Sequence, residues 1–331
     1  MLIYYQFNNF CSFYNECEFS MCVPTGNTKE YFNDNYTEKA DRFDLLKSAV
    51  IVGENAGGKT NFIRSLKYLK SLFLLNGPVK SRRQYINATS LMKEKHPIQK
   101  FKLCVRVENK KVYIYELHLN EFGIVYEMLQ VMKESKGTTK TIFEIERAED
   151  GEWRSLIQNT GGLSMNSSLF SSGIGYGANI GLFISKYALL GDEDALAVVD
   201  WINNVSYVEL APVENYNDAI KLDADMRILE DGRYLEIFRM VDDSICGIEV
   251  DKQRPYSESI IVRKDRYGNY FRRELQTDSS SVCEFFAWAV HIFRIVYENK
   301  VVFADGMDRV LNSVLLDKVV AFVNGAEHTD S

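Results

Sequence analysis

The chain has 331 residues, of which 46% are hydrophobic and 26% charged, and its formal net charge is -7. This is ordinary globular composition, enough for one large domain or two small ones, and the acidic balance indicates no general affinity for nucleic acid. The six cysteines include no C-x-x-C pair and the four histidines are scattered, which argues against a zinc site and fits a reducing cytoplasm. The N-terminus lacks the charged start and apolar run of a signal peptide, and the most apolar helix is too short to span a bilayer. We therefore expect a cytoplasmic protein without a membrane span.

The first 76 residues predict strands followed by one strand–loop–helix unit. Residues 2–23 alternate enough to form two strands, and residues 24–44 predict a loop or a short helix. "LLKSAVIVG", residues 45–53, is short, apolar and partly β-branched, which is typical of a buried parallel strand. After Thr60 the apolar residues recur at helical spacing until "NGP", residues 76–78, stops the helix.

The loop between that strand and that helix fits G-x-x-x-x-G-K-[ST], with Gly53, Gly58, Lys59 and Thr60 in the fixed positions. A chance turn between a strand and a helix is the alternative. Glycines let successive backbone N–H groups point inward at phosphate oxygens, and the helix N-terminus adds partial positive charge. We expect Lys59 to reach the β- and γ-phosphates of a nucleotide and the Thr60 hydroxyl to ligate Mg²⁺. The predicted nucleotide-binding residues of this loop are Gly53, Glu54, Asn55, Ala56, Gly57, Gly58, Lys59, Thr60 and Asn61.

Beyond the helix the pattern changes to strands. Four alternating segments between residues 101 and 147, separated by short polar turns, predict an antiparallel meander. A basic run precedes them at Lys80, Arg82 and Arg83, and we expect a solvated surface there, with contact to nucleic acid as the alternative. Residues 161–181 are rich in Gly and Ser and include a G-x-G-x-G, but no strand precedes it, so a mobile loop is favoured over a second phosphate site.

The remaining third predicts helices, a hairpin and a second strand of functional interest. Helical patterns cover residues 182–205 and the region near 216–241, and "SIIVRKDRYGNYFRREL" predicts a hairpin around residues 267–269. An apolar helix is expected from Val282 to Asn299. "KVVFADGMD" then predicts a strand that ends in Asp305, which could hold the Mg²⁺ of Thr60 directly or through water. The alternative is a strand that leaves the core through an ordinary turn.

The order of these segments resembles the ABC-like bacterial ATPases of the AAA type, which are related to the heads of chromosome-maintenance and overcoming-lysogenization-defect proteins. The resemblance covers nearly the whole chain, and its segments are "NNFCSF", "GENAGGKTN", "LFISKYALLG", "DSSSVCEFFAWAV" and "VVFADGMDRVLNSVLL". It implies an α/β P-loop NTPase fold, an ABC-ATPase-like head of two lobes with an antiparallel β meander and a helical arm. The implied organisation is a single domain, 1–331, with an N-lobe at 1–76, the meander at 77–160, the Gly/Ser loop and helical arm at 161–250 and a C-lobe at 251–331.

The resemblance also implies a mode of action. ATP with Mg²⁺ would be held between two heads, by the phosphate loop of one and by the signature of the other, so a nucleotide-dependent homodimer is implied. The signature residues here would be Ser279, Ser280 and Ser281. In relatives, closure and opening of the heads drive a partner, often a nuclease or a toxin in phage defence.

The departures from the family pattern all concern hydrolysis or closure. The family's first-strand arginine is Cys11 here, its signature glycine is Ser281, the glutamate after the Walker B aspartate is Gly306, and the histidine that follows is Asn312. The chain also ends at Ser331, ahead of the strands and switch histidine that usually follow. A glycine cannot activate water, and loss of a general base removes roughly two to four orders of magnitude in rate. Asp308 is a candidate substitute.

The sequence therefore leaves three hypotheses for the function of this chain. The first is an ATP-holding scaffold that regulates an effector with weak or absent hydrolysis, and the second is an active ATPase whose dimerisation powers a nuclease or toxin. The third is an interaction module with a vestigial site.

Overall fold

The computed structural model describes residues 1–23, 35–40, 43–74, 79–107, 111–132, 138–147, 153–158, 181–209, 223–307 and 311–325. The chain divides into two compact units, Met1–Val205 and Ser206–Ser331, and each is described by itself. Their boundary falls inside the segment that the resemblance assigns to a helical arm. The chain is a mixed α/β protein with an antiparallel sheet.

The first unit contains a sheet of seven strands, which are β1 Leu2–Asn8, β2 Cys17–Ser20, β5 Gln99–Arg106, β6 Val112–Asn120, β7 Gly123–Met132, β8 Thr139–Arg147 and β9 Trp153–Gln158. The sheet is antiparallel, with the strand order β2-β1-β5-β6-β7-β8-β9. Alternation of buried and half-buried residues along β6 shows why these segments form strands, since one face lies in the core. The predicted meander strands are confirmed, and β1, β2 and β9 extend the same sheet.

The predicted buried parallel strand at residues 45–53 is wrong. A small antiparallel hairpin, β3 Tyr36–Ala40 with β4 Phe43–Leu46, ends at Leu46, so strand rather than loop or helix also covers part of 24–44. Val50 is 75% exposed and Val52 83% exposed. The physical reason lies at Ser48, because the Asn35 side-chain amide pairs with both of its backbone groups. Asn35 Oδ1 accepts from the Ser48 N–H at 2.8 Å, and Asn35 Nδ2 donates to the Ser48 carbonyl at 3.1 Å. A side chain thus satisfies the backbone groups that a neighbouring strand would otherwise pair.

The helix after the loop is confirmed as α1, Lys59–Phe73. Its apolar stripe packs on the sheet, where the Phe62 ring lies 6.1 Å from that of Tyr5 and 5.9 Å from that of Phe7. Each buried aromatic side chain contributes about 1.5–3 kcal/mol through burial. The same unit contains the short helix α2, Ala88–Lys93.

The helical pattern at residues 182–205 forms two helices rather than one, α3 Phe183–Leu189 and α4 Glu193–Asn204. The break follows from Gly191, whose φ is 88°, and from Asp192, whose carboxylate caps α4 at the Ala195 N–H, 2.8 Å away.

The second unit holds a three-stranded antiparallel sheet, β11 Ile245–Glu249, β12 Ile260–Lys264 and β13 Tyr270–Glu274. It also holds a parallel pair, β10 Ser206–Glu209 with β14 Val302–Asp305. The predicted hairpin and the predicted strand ending at Asp305 are confirmed, whereas β10 was not predicted. Residues 210–222 lie outside the described residues, and the helical region near 216–241 contains α5 Asp223–Leu229 and α6 Gly232–Phe238.

The core of the second unit surrounds α7, Ser280–Tyr297. Its apolar residues face several directions, and ten of its eighteen residues are buried, as expected for a helix that is hydrophobic on most faces. The Tyr234 hydroxyl donates a hydrogen bond of 2.5 Å to the Phe286 carbonyl, which ties α6 to α7. The last helix is α8, Ser313–Gly325. None of the helices within the described residues has the length and apolar character needed to cross a bilayer.

Candidate functional site

The phosphate-loop motif forms an exposed turn directly before α1. The Gly57 N–H donates to the Glu54 carbonyl at 3.0 Å, which closes the turn. Ala56 and Gly58 both have left-handed backbone, with φ of 63° and 97°. Residues 53–57 are exposed, so the loop is open to solvent.

Gly57 and Gly58 are both needed for close packing, and Gly58 also for its left-handed backbone. A Cβ on Gly57 would lie 2.9 Å from the Glu54 carbonyl oxygen. A Cβ on Gly58 would lie 3.0 Å from the Ser12 Oγ and 3.1 Å from the Phe13 ring. The motif glycines therefore allow the loop to close and the segment after β1 to pack against it.

Lys59 bends back across the loop. Its Nζ donates to the carbonyl oxygens of Gly53 and Glu54, at 2.6 and 2.7 Å. The first N–H groups of any α-helix have no intrahelical partner, and α1 has no side-chain cap at Gly58. An ammonium group and open helix N–H donors thus lie at the same exposed place, an arrangement that can bind an oxyanion. Thr60 is exposed in the first turn of α1, where its hydroxyl could ligate a metal ion.

The segment "NNFCSF" lies beside the start of α1. Asn61 Nδ2 donates to Ser12 Oγ at 3.0 Å, and Arg64 Nη1 lies 3.5 Å from Asn61 Oδ1. Burial raises the pKa of the Cys11 thiol, and the positive charge of Arg64 opposes that shift. The structure thus brings together two of the segments that carry the resemblance. Ser12 and Arg64 had no predicted role, because a contact across 49 residues leaves no periodic signal.

The predicted Walker B residues lie in the second unit. Asp305 is the last residue of β14, is half-buried, and stands opposite Glu209 in the parallel register. Gly306 follows with a left-handed φ of 75°, so the chain turns where the family has its glutamate. Thr60 and Asp305 belong to different units, and their shared Mg²⁺ remains a prediction. Asp308 lies outside the described residues.

The predicted signature residues stand at the start of α7, where Ser279 and Ser280 are exposed and Ser281 is half-buried. The Asp278 carboxylate lies just before this helix, where its Oδ1 accepts from the Ser279 N–H at 2.8 Å, and the N-cap Ser279 makes no side-chain cap hydrogen bond. Arg263 holds the other oxygen of Asp278 at 2.8 Å, and both side chains are buried.

Arg263 extends this network to a second acid and a hydroxyl. It pairs with Asp242 and donates to Ser244 Oγ at 2.9 Å. Although burial opposes the shift, hydrogen bonds from Ser244 and Arg263 hold the pKa of Asp242 below its usual range. The sequence did not predict the network, since its members come from three separate segments.

Asn312, which stands where the family has histidine, has a structural role here. Its Oδ1 accepts from the Leu315 N–H at 2.9 Å and so caps α8.

Comparison with known proteins adds no family assignment, as no protein-family model matches the chain and no curated protein matches its sequence. Within the described residues, no three side chains of His, Cys, Asp or Glu are grouped as a metal site would require. The exposed run Lys80, Arg82 and Arg83 lies outside the phosphate loop.

Proposed function

We propose that this chain binds Mg-ATP at the loop from Gly53 to Asn61, hydrolyses it weakly or not at all, and regulates a partner effector. The observation that carries the proposal is the phosphate loop itself. An exposed glycine turn, a lysine ammonium and the uncapped start of a fifteen-residue helix converge at one place. The fold class and function of the ABC-like AAA ATPases remain part of this proposal, supported by the order of the sequence segments.

Nucleotide binding is supported by what the loop already contains. A polyphosphate has the negative charge that would draw Lys59 Nζ from the carbonyls of Gly53 and Glu54. Charge-assisted hydrogen bonds of this kind are the strong ones in proteins. In the proposed complex, Thr60 and Asp305 hold Mg²⁺, and Ser279–Ser281 of a second copy contact the γ-phosphate.

Weak hydrolysis is supported by Gly306. No side chain exists there to orient or deprotonate water, and positioning with electrostatics is most of phosphoryl-transfer catalysis. A glutamate at this position would also adopt a left-handed backbone, since φ is 75°. Restoring the family residue therefore carries a conformational cost that the sequence did not reveal.

The partner is proposed by resemblance alone to be a nuclease or a toxin, in phage defence. The dimer through the signature should be weak, because Ser281 replaces glycine and hinders close approach of the backbone to a γ-phosphate. Light scattering with and without Mg-ATP tests this point. A tight ATP-dependent dimer would contradict it.

Calorimetry with Mg-ATP and Mg-ADP tests the binding site. Lys59→Ala should weaken both affinities by about tenfold or more, as expected for a charged hydrogen-bonding group lost from a phosphate site. Lys67→Ala, on the exposed face of the same helix, is the matched control and should bind like wild type. Equal affinities for wild type and Lys59→Ala would show that the loop is only structural.

Turnover by wild type should be barely above background. Gly306→Glu should raise it only modestly, and Gly306→Ala is the matched control that has the same backbone strain without a carboxylate. A wild-type rate on the order of one per second, within the usual range of enzymes, would contradict the scaffold hypothesis and support the active ATPase.

A further inference from the structure

The hairpin of β12 and β13 leaves more aromatic surface in water than its fold requires. All five residues of β13 are exposed. Tyr267, in the turn, is 91% exposed, Tyr270 is 67% exposed and Phe271 is 45% exposed. Burial of aromatic rings dominates the energetics of cores and interfaces, so rings left in solvent contribute little to folding.

The turn that carries Tyr267 is tightly organised. Asp265 Oδ1 accepts from the N–H groups of Tyr267 and Asn269, both at 2.8 Å, and the Asn269 carbonyl accepts from the Asp265 N–H at 2.9 Å. Gly268 supplies the left-handed residue, with φ of 89°. A well-bonded turn therefore holds the Tyr267 ring outward.

Positive charge lies beside the Tyr270 ring and, along the chain, next to Tyr267. The Lys264 Nζ lies 5.7 Å from the centroid of the Tyr270 ring. Arg266 forms no ion pair with any described residue, whereas Arg272 is neutralised by Glu249. We call Lys264, Arg266, Tyr267 and Tyr270 the hairpin tip. With Asp265, whose carboxylate accepts the backbone hydrogen bonds of the turn, the tip has one net positive charge beside its exposed rings, on a chain whose net charge is -7.

We propose that the hairpin tip binds single-stranded nucleic acid. Exposed rings stack on bases of any sequence, and neighbouring cations contact phosphates, which is how sequence-tolerant single-strand sites are built. Addition of a protein strand to the edge of β13 fits less well. That edge has only five residues and includes Arg272, Arg273 and Glu274, the short length and charge that protect edge strands from pairing.

The test uses the full chain and a fluorescein-labelled oligothymidine of about 20 nucleotides, long enough for one typical single-strand site. Fluorescence anisotropy at about 50 mM salt should show binding that weakens as salt rises, with a log–log slope of roughly -1.4 for two phosphate contacts. The double variant Tyr267→Ala/Tyr270→Ala should bind roughly thirtyfold more weakly or worse, since each ring that stacks on a base accounts for roughly fivefold or more in affinity. Arg266→Ala should reduce the slope by roughly 0.7.

Matched controls separate this surface from others. Tyr14→Ala removes an exposed tyrosine that also lies beside a lysine, Lys93, at 5.3 Å, but in the other unit, and should bind like wild type. Lys59→Ala should also bind the oligonucleotide normally, because the hairpin tip does not depend on the phosphate loop. Lack of oligonucleotide binding would overturn the proposal and favour a protein partner. Binding that is lost in Arg82→Glu/Arg83→Glu but kept in the double tyrosine variant would overturn it as well.

Discussion

The N-termini of α1 and α7 both have backbone N–H groups without an intrahelical partner, but different side chains lie beside them. At α1 the preceding residue is Gly58, no side chain caps the helix, and the approach is exposed. At α7 the carboxylate of Asp278 accepts from the Ser279 N–H and is held in place by Arg263. Neither helix has a side-chain cap at its N-cap residue. The two starts differ in what precedes the helix, since a lysine ammonium and an exposed glycine turn adjoin α1, whereas a carboxylate paired with Arg263 adjoins α7.

This difference distinguishes the proposed nucleotide-binding loop from the proposed dimer contact. Positive charge at a helix N-terminus favours anions, so the start of α1 with Lys59 beside it suits phosphate better than the start of α7, where the Asp278 carboxylate is already paired with Arg263. Under the proposed function the loop before α1 would bind nucleotide, whereas the serines at the start of α7 lie beside a buried ion pair.

Removal of Arg263 should have the largest effect. Arg263→Ala leaves Asp278 buried without its partner, and breaking a buried ion pair typically costs about 3–5 kcal/mol in the free energy of unfolding. Urea denaturation measures it. Arg266→Ala, an exposed arginine three residues along, should change stability by less than about 0.5 kcal/mol. If Arg263→Ala cost no more than this control, the network would not secure α7.

A third helix start, that of α3, should make stability depend on pH. The buried carboxylate of Glu127 accepts from the N–H groups of Phe183 and Ile184, both at 2.8 Å, and from the Tyr115 hydroxyl at 3.1 Å. Burial raises the pKa of Glu127 to about 7, although these hydrogen bonds and the charge of Lys186 oppose the shift.

The raised pKa gives the direction of the pH effect. The folded chain holds the proton more tightly than the unfolded chain, so this contribution is full below a pH of about 4.5 and is lost as pH rises through about 7. The loss amounts to about 3 kcal/mol, from about 1.4 kcal/mol for each pH unit. Urea denaturation across this range should show it in wild type, and Glu127→Gln should lack it.

Glu144 provides the control for that experiment. It also accepts a tyrosine hydroxyl, that of Tyr126 at 2.8 Å, but it is only half-buried. Glu144→Gln should therefore follow the wild-type pH curve. A Glu127→Gln curve parallel to wild type would mean that this carboxylate does not set the pH response.

Blocking the N-terminus of α1 should lower stability by less than the changes above, but it should abolish ATP binding. Gly58→Ala places a Cβ against Ser12 and Phe13 in a left-handed backbone, for a cost of about 2 kcal/mol. Calorimetry should then detect no ATP binding. Gly191→Ala, at a φ of 88° with open space around the Cβ, should cost about 1 kcal/mol and bind ATP normally. Normal ATP affinity in Gly58→Ala would show that the loop tolerates displacement.

Local periodicity predicted the helices α1 and α7, the hairpin of β12 and β13, and the meander, because each pattern is repeated over several residues. It failed at residues 45–53, since an apolar β-branched run does not reveal that Asn35 takes the hydrogen bonds of Ser48. The four-residue strand β10 was too short to show a pattern of its own.

The candidate site was predicted only as far as its motif. The loop residues follow from the G-x-x-x-x-G-K-[ST] spacing, but the contact of Ser12 with Asn61 and the pairing of Arg263 with Asp278 join distant parts of the sequence. Glu127 was equally hidden, because a buried carboxylate within an apolar strand can be distinguished from a surface residue only by its tertiary partners.

The bend of Lys59 onto its own loop has a consequence for selectivity. Any anion that recruits the ammonium group must replace two short hydrogen bonds to carbonyl oxygens, at 2.6 and 2.7 Å. A monovalent ion such as chloride offers one diffuse charge in exchange, whereas a chain of phosphates offers several localised charges. We therefore expect the loop to favour polyanions over monovalent anions. Nucleotide affinity should change little when chloride is replaced by acetate at equal ionic strength.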